Sequence, residues 1–319
     1  MKYQADYAIE TQDVNKTYKN GIQALKGLNM KVKAGEIYSL LGENGAGKST
    51  LIRILTAFLK PSAGKIRVLG KDICADSVYI RSNFACVSQQ ITIDTHLSLQ
   101  ENMMFQAGLY KVPKKEAKNR MKKLIKQFNL EPYANYPVAS YSGGIKRRLD
   151  IAVNMMSNPE ILFLDEPTVG MDIQSRKVMW EMIRKIRDES GTTVFLTTHY
   201  LEEADELSDT ICIMRNGREV IQGSPFELKK YLRQDNVKIT LSSKDYTVRL
   251  KERLRKEYGK ENIKSENTAV IISAENVMDT FHSLATYLSD SQIPFCGIEI
   301  VQPTLEDVFL RLTKKENTV

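Results

Sequence analysis

The sequence predicts an α/β protein followed by a small α+β domain. Three observations carry that expectation. Short apolar runs alternate with helix-patterned segments from about residue 8 to residue 225. One glycine-rich turn lies between a strand pattern and a helix pattern, and the alternation restarts after Tyr231. A chain of 319 residues, 42% hydrophobic and 27% charged, has room for two modest domains with buried cores. The same composition excludes a disordered or collagen-like chain.

In chain order, residues 36–41 read as a strand entering the glycine-rich turn and 49–59 as the helix leaving it. Strands are expected at 64–69 and 84–87, and helices across 97–130 and around 145–156. Residues 161–165 form a strand, 175–189 a helix and 192–197 a strand. Two more strands, 211–214 and 219–222, flank Asn216-Gly217, a pair that suits a tight hairpin because both residues tolerate positive φ. The second domain reads β-α-β-α-β-α, with strands at 237–241, 269–273 and 298–301 and helices at 246–258, 277–288 and 305–312. The polar stretch Arg233-Gln234-Asp235-Asn236 is the expected joint, giving domains at 1–230 and 237–319.

No apolar stretch approaches the roughly 18 residues that would span a bilayer, and Met1–Asp6 carries no apolar leader. Cys74, Cys86, Cys212 and Cys296 are scattered without metal-ligand spacing, as expected of free thiols in the cytoplasm. The 46 basic against 39 acidic residues give a net charge of +7, a balance compatible with nucleic acid, an anionic surface or nucleotide phosphates. Much of the excess lies between Lys114 and Lys123. There Met121, Leu124, Ile125 and Phe128 recur at helical spacing, so the basic residues read first as a solvated helix face.

Gly42-Glu43-Asn44-Gly45-Ala46-Gly47-Lys48-Ser49 fits G-x-x-x-x-G-K-[ST]. Glycines let successive N–H groups turn inward on phosphate oxygens, and the following helix adds its positive end. Lys48 is expected to bridge the outer two phosphates and Ser49 to ligate Mg²⁺. Gly42, Asn44, Gly45, Gly47 and Thr50 are expected to complete the phosphate cradle. Further on, Ile161-Leu162-Phe163-Leu164 leads into Asp165-Glu166 at the carboxyl end of a strand, where parallel sheets place ligands. Asp165 is assigned to the metal through water, and Glu166 to the attacking water as general base.

What distinguishes this chain among phosphate-loop proteins is Tyr141-Ser142-Gly143-Gly144-Ile145, which resembles the L-S-G-G-Q signature of ATP-binding-cassette (ABC) ATPases. It differs at its first and fifth residues, Tyr141 and Ile145, and keeps the Ser-Gly-Gly backbone donors that contact phosphate in the family. The resemblance covers roughly residues 8–225 and implies a RecA-like mixed sheet with an antiparallel β subdomain and a helical subdomain. It implies Tyr18 stacking on adenine, Gln89 as a further metal and nucleotide contact, Asp172 in the D-loop and His199 as a catalytic switch histidine beside Glu166 and Lys48. It also implies ATP and Mg²⁺ held between two chains, with Ser142, Gly143 and Gly144 of one facing the γ-phosphate on the other.

In the family the load is a transmembrane permease, here necessarily a separate polypeptide, which would place this chain on the cytoplasmic face of the membrane. Leu97, Leu99, Met103, Met104, Phe105 and Leu109 fall where the family forms its permease-docking groove, though they also suit a subdomain core. Pro303-Thr304-Leu305-Glu306-Asp307-Val308-Phe309-Leu310 is similar to the ending of drug- and antibiotic-exporting members related to daunorubicin-resistance ATPases, whose tail domains pair between subunits. The partner ATPase would be a second copy or a related chain. A soluble ABC ATPase working on nucleic acid or ribosomes is the alternative reading. Tandem cassettes or an inserted coiled coil would favour it, and the sequence has neither, so no nucleic-acid partner is expected.

Overall fold

The structure is a computed structural model that describes residues 6–230, 235–274, 276–291 and 293–314. It divides into two compact units, Met1–Pro225 and Phe226–Val319. The joint expected at 233–236 falls partly outside the described residues: Asp235 and Asn236 are described, Arg233 and Gln234 are not.

The first unit opens with two long strands, β1 (Tyr7–Thr17) and β2 (Gln23–Lys33). They join β4 (Ala63–Val68) and the short β5 (Lys71–Asp72) in an antiparallel sheet ordered β2-β1-β4-β5. Between them run β3 (Ile37–Leu41) and α1 (Lys48–Leu55). Next come α2 (Ser77–Asn83), β6 (Phe84–Val87), α3 (Leu99–Leu109), α4 (Lys114–Gln127) and α5 (Gly143–Asn154). The unit is completed by β7 (Ile161–Asp165), α6 (Ile173–Ser190), β8 (Thr193–Thr198), α7 (Leu201–Leu207), β9 (Thr210–Arg215) and β10 (Arg218–Gly223).

The second sheet, ordered β10-β9-β3-β8-β7-β6, is parallel except for its β9–β10 hairpin. A parallel sheet is covered on both faces, so its strands are apolar throughout and alternate between two cores. Leu162, Leu164, Val194 and Leu196 point into one core with Leu99, Met103, Leu149 and Trp180 of the helices. Tyr38, Leu40, Phe163 and Phe195 point into the other with α1 and the antiparallel sheet, and the Tyr38 and Phe195 rings stack at 5.4 Å. Strand ends therefore lie at an edge that neither core covers, and that edge carries the site.

Several expectations need correction. The helix expected at 49–59 stops at Leu55, because Thr56 caps it through its hydroxyl on Ile52 O (2.7 Å) and Ala57 takes a left-handed φ of 54°. The helices expected across 97–130 are α3 and α4, separated where Lys111 turns left-handed ahead of Pro113. Strand β6 ends at Val87, so Gln89 lies two residues into the loop and is exposed instead of ending the strand. Of the expected groove residues, Leu99 and Met103 are core, whereas Phe105 and Leu109 are exposed.

The second unit contains α8 (Pro225–Lys230) near its start, then β11 (Asn236–Leu241), α9 (Lys244–Tyr258), β12 (Ile263–Glu266), β13 (Ala269–Ser273), α10 (Val277–Asp290), β14 (Phe295–Val301) and α11 (Leu305–Lys314). Strand β12 breaks the expected β-α-β-α-β-α order. It pairs with β13 across a turn in which Asn267 takes positive φ, and only Ile263 of its four residues is buried, too little for an apolar signal. The sheet is antiparallel, ordered β12-β13-β11-β14, and its core joins Val237, Ile239, Val270 and Ile272 to Leu250, Leu254, Leu284 and Leu288. In α11, Leu305 and Val308 are buried, Thr304 and Asp307 cap each other, and Lys264 pairs with Asp307.

No disulfide joins the four cysteines. Burial, with the Asp165 charge second, pushes the Cys86 thiol up to about 11, which keeps it protonated. No helix among the described residues is long and apolar enough to cross a membrane.

Candidate active site

A cleft of about 400 Å³ opens over the carboxyl end of β3. It brings together eight of the residues singled out from the sequence: Tyr18, Asn44, Gly45, Gly47, Lys48, Ser49, Thr50 and Glu166. The loop from Gly42 curls because Gly45 and Gly47 sit at φ 84° and 107°. At Gly47 a Cβ would lie 2.6 Å from Ala24 O, so only glycine fits there. The N–H groups of the first turn of α1 follow at once, and the helix adds its positive end to the same place.

Lys48 is 5% exposed and points back along the loop, donating to Gly42 O (2.6 Å) and Glu43 O (3.3 Å). Its Nζ lies 3.5 Å from Glu166 Oε1, and His199 Nδ1 lies 3.3 Å from the same oxygen. The three groups assigned to catalysis thus converge on one carboxylate. Glu166 takes a left-handed φ of 47°, uncommon for a non-glycine residue. Thr197 fixes it there: the Glu166 N–H reaches both Thr197 O and Oγ1 at 3.1 Å, while the Thr197 hydroxyl donates to Asp165 Oδ1 at 2.5 Å.

Tyr18 stands on the opposite wall, its hydroxyl 3.1 Å from Thr50 Oγ1. The remaining lining includes Gln23, Ala24, Lys26, Asn216 and Gly217, which the sequence reading did not assign to the site. The Asn216-Gly217 turn was recognisable as a hairpin, yet its proximity to the phosphate loop was not. Gly217 N donates to Ala46 O (2.9 Å) and its carbonyl accepts from Lys26 N (2.8 Å), and a Cβ there would strike Ala24 O.

Eight assigned residues lie outside the cleft lining: Gly42, whose carbonyl accepts from Lys48, Asp165 and His199, which adjoin Glu166, and Gln89, Ser142, Gly143, Gly144 and Asp172. Ser142 caps α5, accepting from Ile145 N (3.4 Å). Asp172 caps α6, accepting from the Ser175 N–H and hydroxyl, and those bonds hold its carboxyl below the usual range. The two caps are neighbours, since a Cβ on Gly144 would come within 3.4 Å of Ser175 Oγ. Behind them Glu203, fully buried, accepts from Thr168 Oγ1 (2.7 Å) and Trp180 Nε1 (3.2 Å), and burial raises its carboxyl pKa.

The ABC transporter family profile matches residues 25–169. Over 314 residues the chain is 36% identical to the daunorubicin/doxorubicin resistance ATP-binding protein DrrA of Streptomyces peucetius, covering 98% of this chain and 94% of that one. The chain belongs to the ABC transporter family. It is an ABC-type ATPase. This ABC ATPase is also 34% identical to the Nod factor export ATP-binding protein I of Sinorhizobium fredii, over 98% of its own length and 88% of the relative's. Among solved structures, cbiO1 of Clostridium perfringens, part of an ABC transporter complex, aligns with a TM-score of 0.66 at 32% identity, covering 70% of this chain and 91% of that one. The ATP-binding cassette MJ0796, a dimer bound to ADP and Pi, aligns with a TM-score of 0.60 at 28% identity, covering 68% of this chain and 98% of that one.

Proposed function

We propose that this ABC ATPase is the motor subunit of an exporter of drug-like, antibiotic or lipid-like molecules, and that it works as a pair of chains clamping ATP. The observation that carries the catalytic half is Glu166, a strained carboxylate contacted by both Lys48 and His199 at the rim of a glycine-lined cleft. The turned glycine backbone and Lys48 bind the phosphates, and Tyr18 holds the base. Glu166 takes the proton of the attacking water. His199, which contacts the same carboxylate, orients it. Oxygen donors suit a hard cation, and Ser49, Asp165 (through water) and Gln89 are the residues that would hold Mg²⁺, which neutralises charge between the phosphates when bound.

Some of the residues outside the cleft lining fit a second role. Ser142, Gly143 and Gly144 present a helix N-terminus, an anion site by its orphan donors, to the nucleotide of another chain, with Asp172 beside them. Hydrolysis removes the shared phosphate and frees the two chains. A permease on a separate polypeptide would dock near exposed Phe105 and Leu109 of α3 and hold the ATPase at the cytoplasmic face of the membrane. The functions for which the relatives are named, drug resistance and Nod factor export, support export over a soluble role on nucleic acid or ribosomes.

The test is Glu166→Gln with ATP and magnesium. The variant is expected to bind ATP normally, to lose turnover by a factor on the order of 10²–10⁴, and to scatter light as a pair of chains. Undiminished turnover would remove Glu166 as base, and single chains at saturating ATP would remove the clamp.

A further inference from the structure

One side chain outside the cleft lining grips the two segments that carry Glu166 and Gln89. Arg147 lies one turn into α5, 3% exposed. Its Nε donates to Pro167 O and its Nη2 to Asp165 O, both at 3.2 Å, and its Nη1 donates to Ser88 O. Nη1 also faces Asp150 Oδ2 at 3.6 Å, while Asp150 Oδ1 accepts from the Thr92 hydroxyl at 2.9 Å. Asp165 and Pro167 are the neighbours of Glu166; Ser88 and Thr92 bracket Gln89; Ser142 caps the helix that carries Arg147 and Asp150. A guanidinium is the side chain whose donors diverge in one rigid plane, so it can hold three backbone carbonyls in fixed register.

We infer that Arg147 is a positioning residue that locks the Glu166 and Gln89 segments to the helix beginning at Ser142, so that displacement of this helix is passed to the catalytic carboxylate. The inference rests on the ATP-clamp reading. It adds that the clamp contact and the base are mechanically joined within one chain, through bonds to main-chain carbonyls. Asp150 supplies the counter-charge and ties the far side of the Gln89 loop.

Two variants test it. Arg147→Lys keeps the charge opposite Asp150 but replaces the fork by a point donor. Arg147→Met combined with Asp150→Leu removes both buried charges, so neither is stranded. Each is compared with the unaltered chain for thermal midpoint, ATP affinity, kcat and KM, and amide exchange across residues 88–92 and 164–169. Arg147→Lys is expected to bind ATP within about twofold of the parent and to lose kcat by a factor on the order of 10–100. Exchange should rise in both segments. The double variant should recover the thermal midpoint but not kcat. The inference is overturned if a folded variant turns over within about twofold of the parent, if KM and kcat fall in step with stability, or if neither variant folds. A parent chain without ATP turnover would instead fail the clamp reading, and exchange alone would then decide whether Arg147 holds the two segments.

Discussion

Glu166 shows how a single position can carry both strain and chemistry. A left-handed backbone costs a non-glycine residue on the order of 1 kcal/mol or more, and here two hydrogen bonds from its N–H to Thr197 hold it in place. Tyr18 is the contrasting case, a ring held by its hydroxyl on Thr50. Tyr18→Ala is expected to raise the ATP KM several-fold, on the order of 1 kcal/mol of stacking, with kcat little changed, and steady-state kinetics would show it. Glu203 yields a pH prediction. Its burial raises the carboxyl above the ordinary 4.5, so the folded chain holds this proton more tightly than the unfolded one. The group's contribution to stability is therefore full below pH 4.5 and is lost as pH rises through the folded value. Glu203→Gln should flatten that part of the stability profile, and urea midpoints measured for both proteins between pH 4.5 and 7.5 would reveal an unchanged slope if the assignment is wrong.

At the scale of elements, the phosphate loop depends on close backbone approach. Gly47→Ala would bring a Cβ to 2.6 Å from Ala24 O at φ 107°, so it should cost about 1–3 kcal/mol of stability and weaken ATP binding more than tenfold by tilting the first turn of α1. Urea unfolding and a nucleotide titration would measure the two. Much of this scale was legible. The loop from Gly42 to Ser49, the strand 161–165 with its two acids and the Asn216-Gly217 hairpin all have local signals: glycines at fixed spacing, an unbroken apolar run, two residues tolerant of positive φ. What stayed hidden is long-range or weakly patterned. Ala57 gives no warning that it will turn left-handed and end α1 early. Strand β12 buries one residue. Thr197, Arg147 and Glu203 look like an ordinary strand residue, a basic run and a surface acid until the chain folds them against partners 18 to 59 positions away.

At the scale of the whole molecule, each compact unit has its own core, and the one beyond Phe226 includes a four-stranded sheet packed with α9 and α10. Residues 226–319 produced alone are expected to unfold cooperatively in urea, with a slope on the order of 1 kcal/mol/M; a gradual, non-cooperative loss of circular dichroism would count against an independent fold. The strand order of the larger sheet carries a further consequence. Strand β3, which delivers the chain to the phosphate loop, has as its two neighbours β8 and β9, which begin only at Thr193 and Thr210. During synthesis the early hairpin of β1 and β2 can form as it leaves the ribosome, but β3 must wait for more than 150 further residues before either of its edges is covered. Until then it is a five-residue apolar ribbon with open edges, the kind of segment that chaperones shelter and that aggregates recruit. A chain truncated just after Val169, however faithfully it retains the glycines and both acids, would never acquire the scaffold on which they act.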